Sequence, residues 1–557
     1  MIDSFDTNAR ARQTQHDFSH VAVDAFNRDQ TLPQMLLAAC GQHADRPAFT
    51  NLGHTLSFSA VERLSADLAS YLRHGLRLAS GDRVAIMLPN VLQFPVAALG
   101  TLRADLVVVL VNPLYTAREL HHQLADSGAV VLIVLDNFGA VAAEALHHTA
   151  VRHVITTRIG DLLPWPKSWL VDTVLKYVRK AIAPFHIDQA VRWPRALAAG
   201  SRLPRVQAQA SATDTAHLQY TGGTTGLSKG AILSHRALLA NVASYEEWFS
   251  PFIDPKKDVG LVCLPMYHIA AYSNFTLNVT LGVHSVLVTN PRDIPALVAI
   301  FAKVRPAVFA GINTLFDALL NAPQFAKLDF SGLKLCLQGG AALRRGTAER
   351  WKAVTGKDVI EGYGLSETSA AITFNRCDVP NPVGSIGVAM ARVEICLRDA
   401  HGQLAATDEQ GELCARGPQV TSGYWQQPEE TRAAFFADGW FRTGDIARVD
   451  AQGYYFLLDR LKDMILVSGF NVFPNEVEEV VAMHDGVLEA GVIGIPDEKT
   501  GEAVRLVVVR KDPALSEDDL RAHCHKYLTG YKQPRYIEFR DSLPKTAVGK
   551  VLRRDLR

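Results

Sequence analysis

Between Tyr220 and Gly230 the chain reads Tyr-Thr-Gly-Gly-Thr-Thr-Gly-Leu-Ser-Lys-Gly. Gly222, Gly223, Gly226 and Gly230 free the backbone to bend and bring its N–H groups close to an anion. Thr221, Thr224, Thr225 and Ser228 add hydroxyl donors, and Lys229 adds a mobile positive charge. The chemistry such a run suits is the holding of a polyphosphate. A Gly/Ser/Thr stretch is also an ordinary flexible turn, but the internal lysine and the apolar residues on both sides, Leu218 and then Ile232 and Leu233, set this one apart. It is not a Walker A motif, which ends Gly-Lys-Ser/Thr and runs straight into a helix. Here Gly230 follows Lys229, an apolar run comes next, and a helix is expected only from Ser234, a residue suited to an N-cap.

Four further motifs carry candidate chemistry. Glu361-Gly-Tyr-Gly-Leu-Ser-Glu367 sets glycines beside an aromatic ring, as for stacking a flat base, and ends on a hard oxygen ligand suited to Mg²⁺. Gly439-Trp-Phe-Arg-Thr-Gly-Asp445 offers a carboxylate at a glycine turn, either for two ribose hydroxyls or for an Asx-turn. The run from Asp459 to Glu476 passes from charges (Arg460, Lys462) through an apolar strand and the Ser468-Gly469-Phe470 loop to a helix that Asn475 is expected to cap. Leu543-Pro-Lys-Thr-Ala-Val-Gly-Lys550 places a lysine in a terminal glycine loop. Each alone has a bland reading as a turn or a solvated charge; together they gain weight.

The elements that must position these motifs follow an α/β rhythm. Arg83–Leu88, Leu106–Val111 and Val130–Leu135 are short β-branched runs, with helical periodicity between them. The rhythm returns at Gly260–Leu264, Ser285–Thr289, Ala307–Ala310 and Lys334–Leu337, which predicts two α/β subdomains with parallel sheets under helices. From Gly384 to Leu458, short strands and turns predict a small antiparallel β-domain. After Leu461 comes a small α+β block. Asp459–Asp463, read as charged and exposed, marks the boundary. Residues 161–187 form a separate feature: Leu170, Val171, Val174, Leu175, Val178 and Ile182 recur at helical spacing opposite Asp172, Lys176, Arg179 and Lys180, after Trp165 and Trp169. This pattern suits a surface helix packed on the core or an interfacial membrane helix.

The 557 residues, 48% hydrophobic and 20% charged, are enough for several domains. Lys+Arg and Asp+Glu are both 57, so no nucleic-acid footprint is expected. Seven scattered cysteines without a Cys-x-x-Cys pair fit a reducing cytoplasm and speak against a zinc site or a disulfide frame. The first residues show no apolar core of signal-peptide kind. The stretch Phe94–Val111 reads as a helix and a buried strand rather than a membrane span.

The five motifs, in this order, resemble the core motifs of the adenylate-forming superfamily of acyl-CoA synthetases, adenylation domains and luciferases. The likeness runs from about Leu32 to Arg557. It is closest to bacterial long-chain fatty-acid–CoA ligases through Pro89–Val96, Val111–Leu120, Thr289–Pro295, Met464–Glu476 and Gly549–Arg557. The resemblance implies residues 1–459 as an adenylation domain for acyl group and ATP, a hinge at 460–462 and a mobile C-terminal domain at 463–557. It implies two steps: a carboxylate attacks the α-phosphate of ATP and releases pyrophosphate, then the thiolate of coenzyme A displaces AMP. Thr221, Gly222, Gly223, Thr224, Thr225, Gly226 and Lys229 would hold the phosphates. Glu367, with Thr224, would bind Mg²⁺. Gly340, Ala341, Glu361, Gly362, Tyr363, Gly364 and Ser366 would border the nucleotide, with Asp445 on the ribose and Arg460 beside it. Lys550 would bridge carboxylate and α-phosphate, and His268 would border the acyl and thiol entry. Ser468, Gly469 and Phe470 would line the coenzyme A channel, and Lys462 would be the pivot.

Three departures stand out. Ser366 replaces the common threonine, Ala270 and Ala271 stand where relatives carry bulkier residues, and Gln338 stands where a small one is usual. The last two put chain length in question. A medium- to long-chain fatty acid is the expected substrate, with an aromatic or other carboxylic acid, or a non-catalytic acyl or nucleotide sensor, as alternatives. The expected setting is cytoplasmic, as monomer or homodimer, with peripheral membrane contact through 161–187 kept open.

Overall fold

The computed structural model describes residues 29–221, 228–340, 342–399, 401–406, 408–545 and 551–556. Thr224, Thr225, Gly222, Gly223, Gly226, Ala341 and Lys550 lie outside the described residues.

Two large sheets carry the N-terminal part. The first has seven strands among the described residues, in the order Val191–Arg192, His153–Thr157, Val131–Leu135, Arg83–Met87, Val107–Leu110, Thr215–Thr221 and Lys229–Ser234. Its inner strands pair in parallel and are buried along their length, so they read as unbroken apolar runs rather than alternating ones. The last pair is antiparallel and forms the sheet edge, with Thr221 opposite Lys229. The second sheet has nine strands among the described residues. At its centre lie Val359–Leu365, Leu335–Gly339, Val308–Gly311, Val259–Val262 and His284–Leu287. Pro47–Asn51 joins this second sheet by pairing Phe49 with Ser285, although it precedes the first sheet in the chain.

The helix Ile269–Leu281 is buried on nearly every face, as a helix between two layers must be. Tyr272 packs edge-on against His217 of the first sheet, ring centroids 4.3 Å apart. One turn and a half further on, Asn278 donates to Ser285 of the second sheet at 3.0 Å. This helix therefore spans the gap between the sheets.

The expected small β-domain is an antiparallel sheet of Glu394–Arg398, Gln410–Arg416, Phe441–Val449 and Tyr455–Arg460. Among the described residues a five-stranded sheet follows in the C-terminal part, flanked by the helices Pro474–Ala482 and Glu517–Tyr527.

Three expectations from the sequence change. Asp459 is buried rather than exposed, because its carboxylate accepts from the Asn475 backbone N–H at 2.6 Å and from Arg553 at 2.8 Å. Asn475 is not a cap: the helix starts at Pro474 with Phe473 at the N-cap position. The Asn475 side chain instead donates to Leu458 O at 3.0 Å and accepts from Arg553. Past a short 3-10 turn that ends at Leu162, the helical stretch within 161–187 covers Lys167–Val178, so Ile182 falls outside it. Its polar face is not all solvent-facing, since Asp172 accepts from Gly160 N–H at 3.0 Å. The apolar stripe splits: Val171 packs on the core, while Leu170 and Val178 are exposed.

Candidate functional site

Both ends of the glycine-rich run are anchored in the fold. The hairpin strands Thr215–Thr221 and Lys229–Ser234 hold them, and His122 Nε2 meets Ser228 O at 3.0 Å. The open edge of the second hairpin strand is covered by residues 421–425. Ile232 N–H donates to Gly423 O, Trp425 N–H to Gly230 O, and Thr421 Oγ1 to Ile232 O. The same segment reaches the Glu367 turn, where Thr421 N–H donates to Glu367 O at 2.6 Å. So one short edge strap holds two motifs that lie more than a hundred residues apart.

Tyr424 is the residue that reading the sequence missed. Its hydroxyl donates to Glu367 Oε1 at 2.8 Å, and Lys229 Nζ lies 5.6 Å from its ring centroid. Lys229 also pairs with Glu430. The only local signal was an aromatic pair, Tyr424-Trp425, after a glycine; the contact to Glu367 cannot be seen from spacing.

Glu367 sits in the single turn Ser366–Thr368 and is buried. Burial pushes its carboxyl above the usual carboxylate range, against the pull of Tyr424 and Arg460. Just after it, Ser369 and Ala370 take left-handed φ of 54° and 101°, uncommon for residues with a Cβ. Gly364 makes this possible: a Cβ there would stand 1.9 Å from Ala370 O.

The Tyr363–Asp445 side of the candidate site is built across two sheets. Asp445 lies directly opposite Arg460 in the small β-sheet, with Arg460 Nε 3.1 Å from its Oδ1. Its Oδ2 accepts from the Tyr363 hydroxyl at 2.6 Å, although Tyr363 belongs to the second large sheet. Burial works against the Arg460 charge, but Asp445, Tyr363, Asp463 and Glu367 together hold its pKa above the ordinary value. Gly339 pairs with Gly362 across neighbouring strands, and Gly340 turns the chain away with φ 83°. Glu361, two residues before Tyr363, accepts from Leu343 N–H at 3.0 Å. Thr221, Lys229, Glu367, Tyr363, Asp445 and Arg460 are thus linked through shared neighbours. Ser366 stands beside them in the Glu367 turn.

Burial raises the Glu361 pKa to about 7. A carboxyl whose pKa rises on folding binds its proton more tightly in the folded chain. Its contribution to stability is full below the ordinary value of 4.5 and is lost as pH climbs through about 7. Glu361→Gln is expected to remove this dependence, leaving the variant more stable than the parent at pH 8 relative to pH 5 by on the order of 1–3 kcal/mol. Thermal unfolding across that range reads the difference; parallel curves for the two proteins refute the assignment.

His268 is the N-cap of the spanning helix, its Nδ1 accepting from Ala270 N–H at 3.3 Å. Burial lowers its pKa and keeps it neutral. The turn before it is pinned by Asn90, which bonds Val262 O, Leu264 O and Met266 N–H, and by Gln219, which donates to Tyr267 O. Beyond His268 the helix borders an apolar slot lined by Leu261, Leu264, Ala271, Val308, Leu335 and Leu337, among others. The slot holds about 30 Å³, close to the volume of one water, so a chain entering it must part the helix from the sheet. On its other side the helix touches the Glu367 turn, where Ser273 Oγ donates to Ser369 O at 3.1 Å.

The C-terminal candidates are arranged separately. Ser468 and Gly469 form the two-residue loop of the hairpin Ile465–Val472, with φ of 49° and 85° at the two positions. Two positive φ values are what a tight hairpin of this twist requires. Phe470 is exposed and stacks on Tyr531 at 4.8 Å. Among the described residues, neither the Tyr424–Glu367 bond nor the Arg460–Asp445 pair extends to Ser468, Gly469 or Phe470. Lys462 is exposed, and desolvation together with Arg460 lowers its pKa.

A family model described as AMP-binding enzyme matches residues 36–425, and one described as AMP-binding enzyme C-terminal domain matches residues 476–550. A long-chain-fatty-acid–CoA ligase of Yersinia pestis is 47% identical over 532 residues, covering 95% of this chain and 94% of that protein. One from Haemophilus influenzae is 45% identical over 531 residues, covering 95% and 94%. Among solved structures, ATP-bound MatB from Rhodopseudomonas palustris superposes with a TM-score of 0.79 at 28% identity, covering 95% of this chain and 98% of that one.

Proposed function

We propose that this chain, which belongs to the AMP-binding enzyme family, is an AMP-forming acid–thiol ligase that joins a fatty acid to coenzyme A through an acyl-adenylate. The observation that carries the reading is the helix Ile269–Leu281. It touches the Glu367 turn on one side and borders an apolar slot on the other, which suits a reagent with a reactive carboxylate and a long apolar tail.

In the first step the acid's carboxylate oxygen bonds to the α-phosphorus of ATP, and the bond to pyrophosphate breaks. The protein's contribution is position and charge. The loop Thr221–Lys229 would hold the departing phosphates. A polyphosphate would compete with Glu430 for Lys229, whose pairing is surface-accessible and therefore cheap to exchange. Asp445, its carboxylate oriented by Tyr363 and Arg460, would accept the ribose hydroxyls. Lys550 would stabilise the charge that develops between carboxylate and α-phosphate. In the second step the coenzyme A sulfur bonds to the acyl carbon and AMP leaves, with Ser468–Phe470 as channel wall and Lys462 as pivot. The clasp of Asp459 with Asn475 and Arg553 spans that pivot.

Glu367 fits a divalent cation. It is buried with its charge only partly relieved, and Tyr424 engages Oε1 alone. Among the described residues no group of three His, Cys, Asp or Glu could hold a metal, as suits Mg²⁺, which takes one or two carboxylates and completes its shell with phosphates and water. Held there, the cation would neutralise phosphate charge.

Contact with a lipid surface is a further part of the proposal. No helix among the described residues is long and apolar enough to cross a membrane. Trp165, Trp169, Leu170, Tyr177 and Val178 are nonetheless exposed together, with Lys176, Arg179 and Lys180 beside them. Aromatic, aliphatic and basic groups in one patch suit an anionic headgroup boundary. Trp165→Ser/Trp169→Ser/Val178→Ser is expected to weaken co-sedimentation with phosphatidylglycerol vesicles about tenfold or more. Equal binding by parent and variant, or none by the parent, removes the proposal. Activity on dispersed substrate should stay unchanged.

A further inference from the structure

The slot beside the spanning helix is apolar except along one line. Asn274 and Asn278 both face it, four residues apart and so on one face of the helix. The Cys263 thiol also borders it, and burial keeps that thiol protonated. Asn278 Nδ2 donates to Ser285 Oγ at 3.0 Å, which leaves Oδ1 without a donor among the described residues. Asn274 makes no hydrogen bond among the described residues.

Two amide side chains in an apolar slot are expensive if nothing meets them. A bare methylene chain would offer neither amide a partner and would leave each polar group unpaired. A hydroxyl on the chain removes that cost, since it donates to Asn278 Oδ1 and accepts from the Asn274 amide. A keto oxygen could only accept, which leaves Oδ1 unmet.

We infer that Asn274 and Asn278 read a hydroxyl group on the acyl chain, so the preferred substrate is a hydroxylated fatty acid rather than an unsubstituted one. The inference rests on the ligase reading above and deepens it.

The test compares kcat/KM by pyrophosphate release for acids of equal length with and without a hydroxyl, the hydroxyl being moved along the chain. A keto acid at the best position serves as the third arm. The parent enzyme is expected to favour the hydroxy acid at one position by about tenfold or more, and to disfavour the keto acid. Asn274→Leu should lose about tenfold on that hydroxy acid while staying within about threefold on the unsubstituted acid, whose turnover reports that the variant is folded. Asn274→Ser, which keeps a hydrogen-bonding group, should retain part of the preference. A parent enzyme with no preference at any position overturns the inference, as does a Leu variant that loses both acids alike while the Ser variant shows no preference. A parent enzyme that activates no fatty acid at all refutes the ligase reading instead.

Discussion

Lys550→Ala is expected to lower acid-dependent adenylate formation by about 10²–10³-fold, the scale of removing a group aimed at developing charge. The same variant should form thioester from supplied acyl-adenylate within about threefold of the parent, since that step no longer involves the α-phosphate transfer. The two half-reactions are the informative readout, because a folding defect would depress both. The structure argues that folding survives. Lys545 pairs with Glu489 and bridges Val551, and Leu552 N–H donates to Pro544 O at 2.8 Å, so the ends of the Lys550 segment are tied together without it. Arg553, three residues on, is held by Glu478, Asp459 and Asn475. Equal loss of both half-reactions would show that Lys550 does not have the assigned role.

Gly469→Leu should show the reverse. Nothing lies within 4 Å of a Cβ built at Gly469, so the side chain meets no wall of the protein itself. The remaining cost is the left-handed φ of 85°, about 1–2 kcal/mol for a residue with a Cβ. That cost falls on an exposed hairpin and leaves the C-terminal core around Val492, Leu506 and Val508 intact. A large side chain here would act mainly on whatever passes the loop. Thioester formation from supplied acyl-adenylate should fall about 10²-fold, the scale of misplacing a reactant by an ångström, while adenylate formation changes by less than about threefold. Normal coenzyme A turnover in this variant would remove Ser468–Phe470 from the channel.

Local chemistry was legible in the chain wherever it depends on neighbours in sequence. The N-cap at Ser234, the parallel strands and the small antiparallel sheet all follow from residue type and period. What was hidden depends on distant pairing. The strand Pro47–Asn51 joins the second sheet across more than two hundred residues, which no local pattern announces. Asp459 looked like a solvated charge because its burial is produced by Arg553 and by Asn475, neither adjacent to it. Asn475 looked like a helix cap because Asn near a helix start usually is one, yet the Pro474 start puts it two positions past the cap at Phe473. Tyr424 carried little signal beyond an aromatic pair after a glycine, since what sets it apart is contact with the distant Lys229 and Glu367. The helix at 167–178 shows the limit of periodicity: the spacing found a helix, but Asp172 turns inward to Gly160 and so splits the apolar face.

The measurement that bears most directly on the proposed chemistry is exchange of labelled pyrophosphate into ATP with a long-chain acid and no coenzyme A. Exchange that requires the acid, followed by release of AMP and thioester once coenzyme A is added, is the expected result. Exchange that requires coenzyme A from the start, or formation of ADP and phosphate in place of AMP and pyrophosphate, would contradict an acyl-adenylate route.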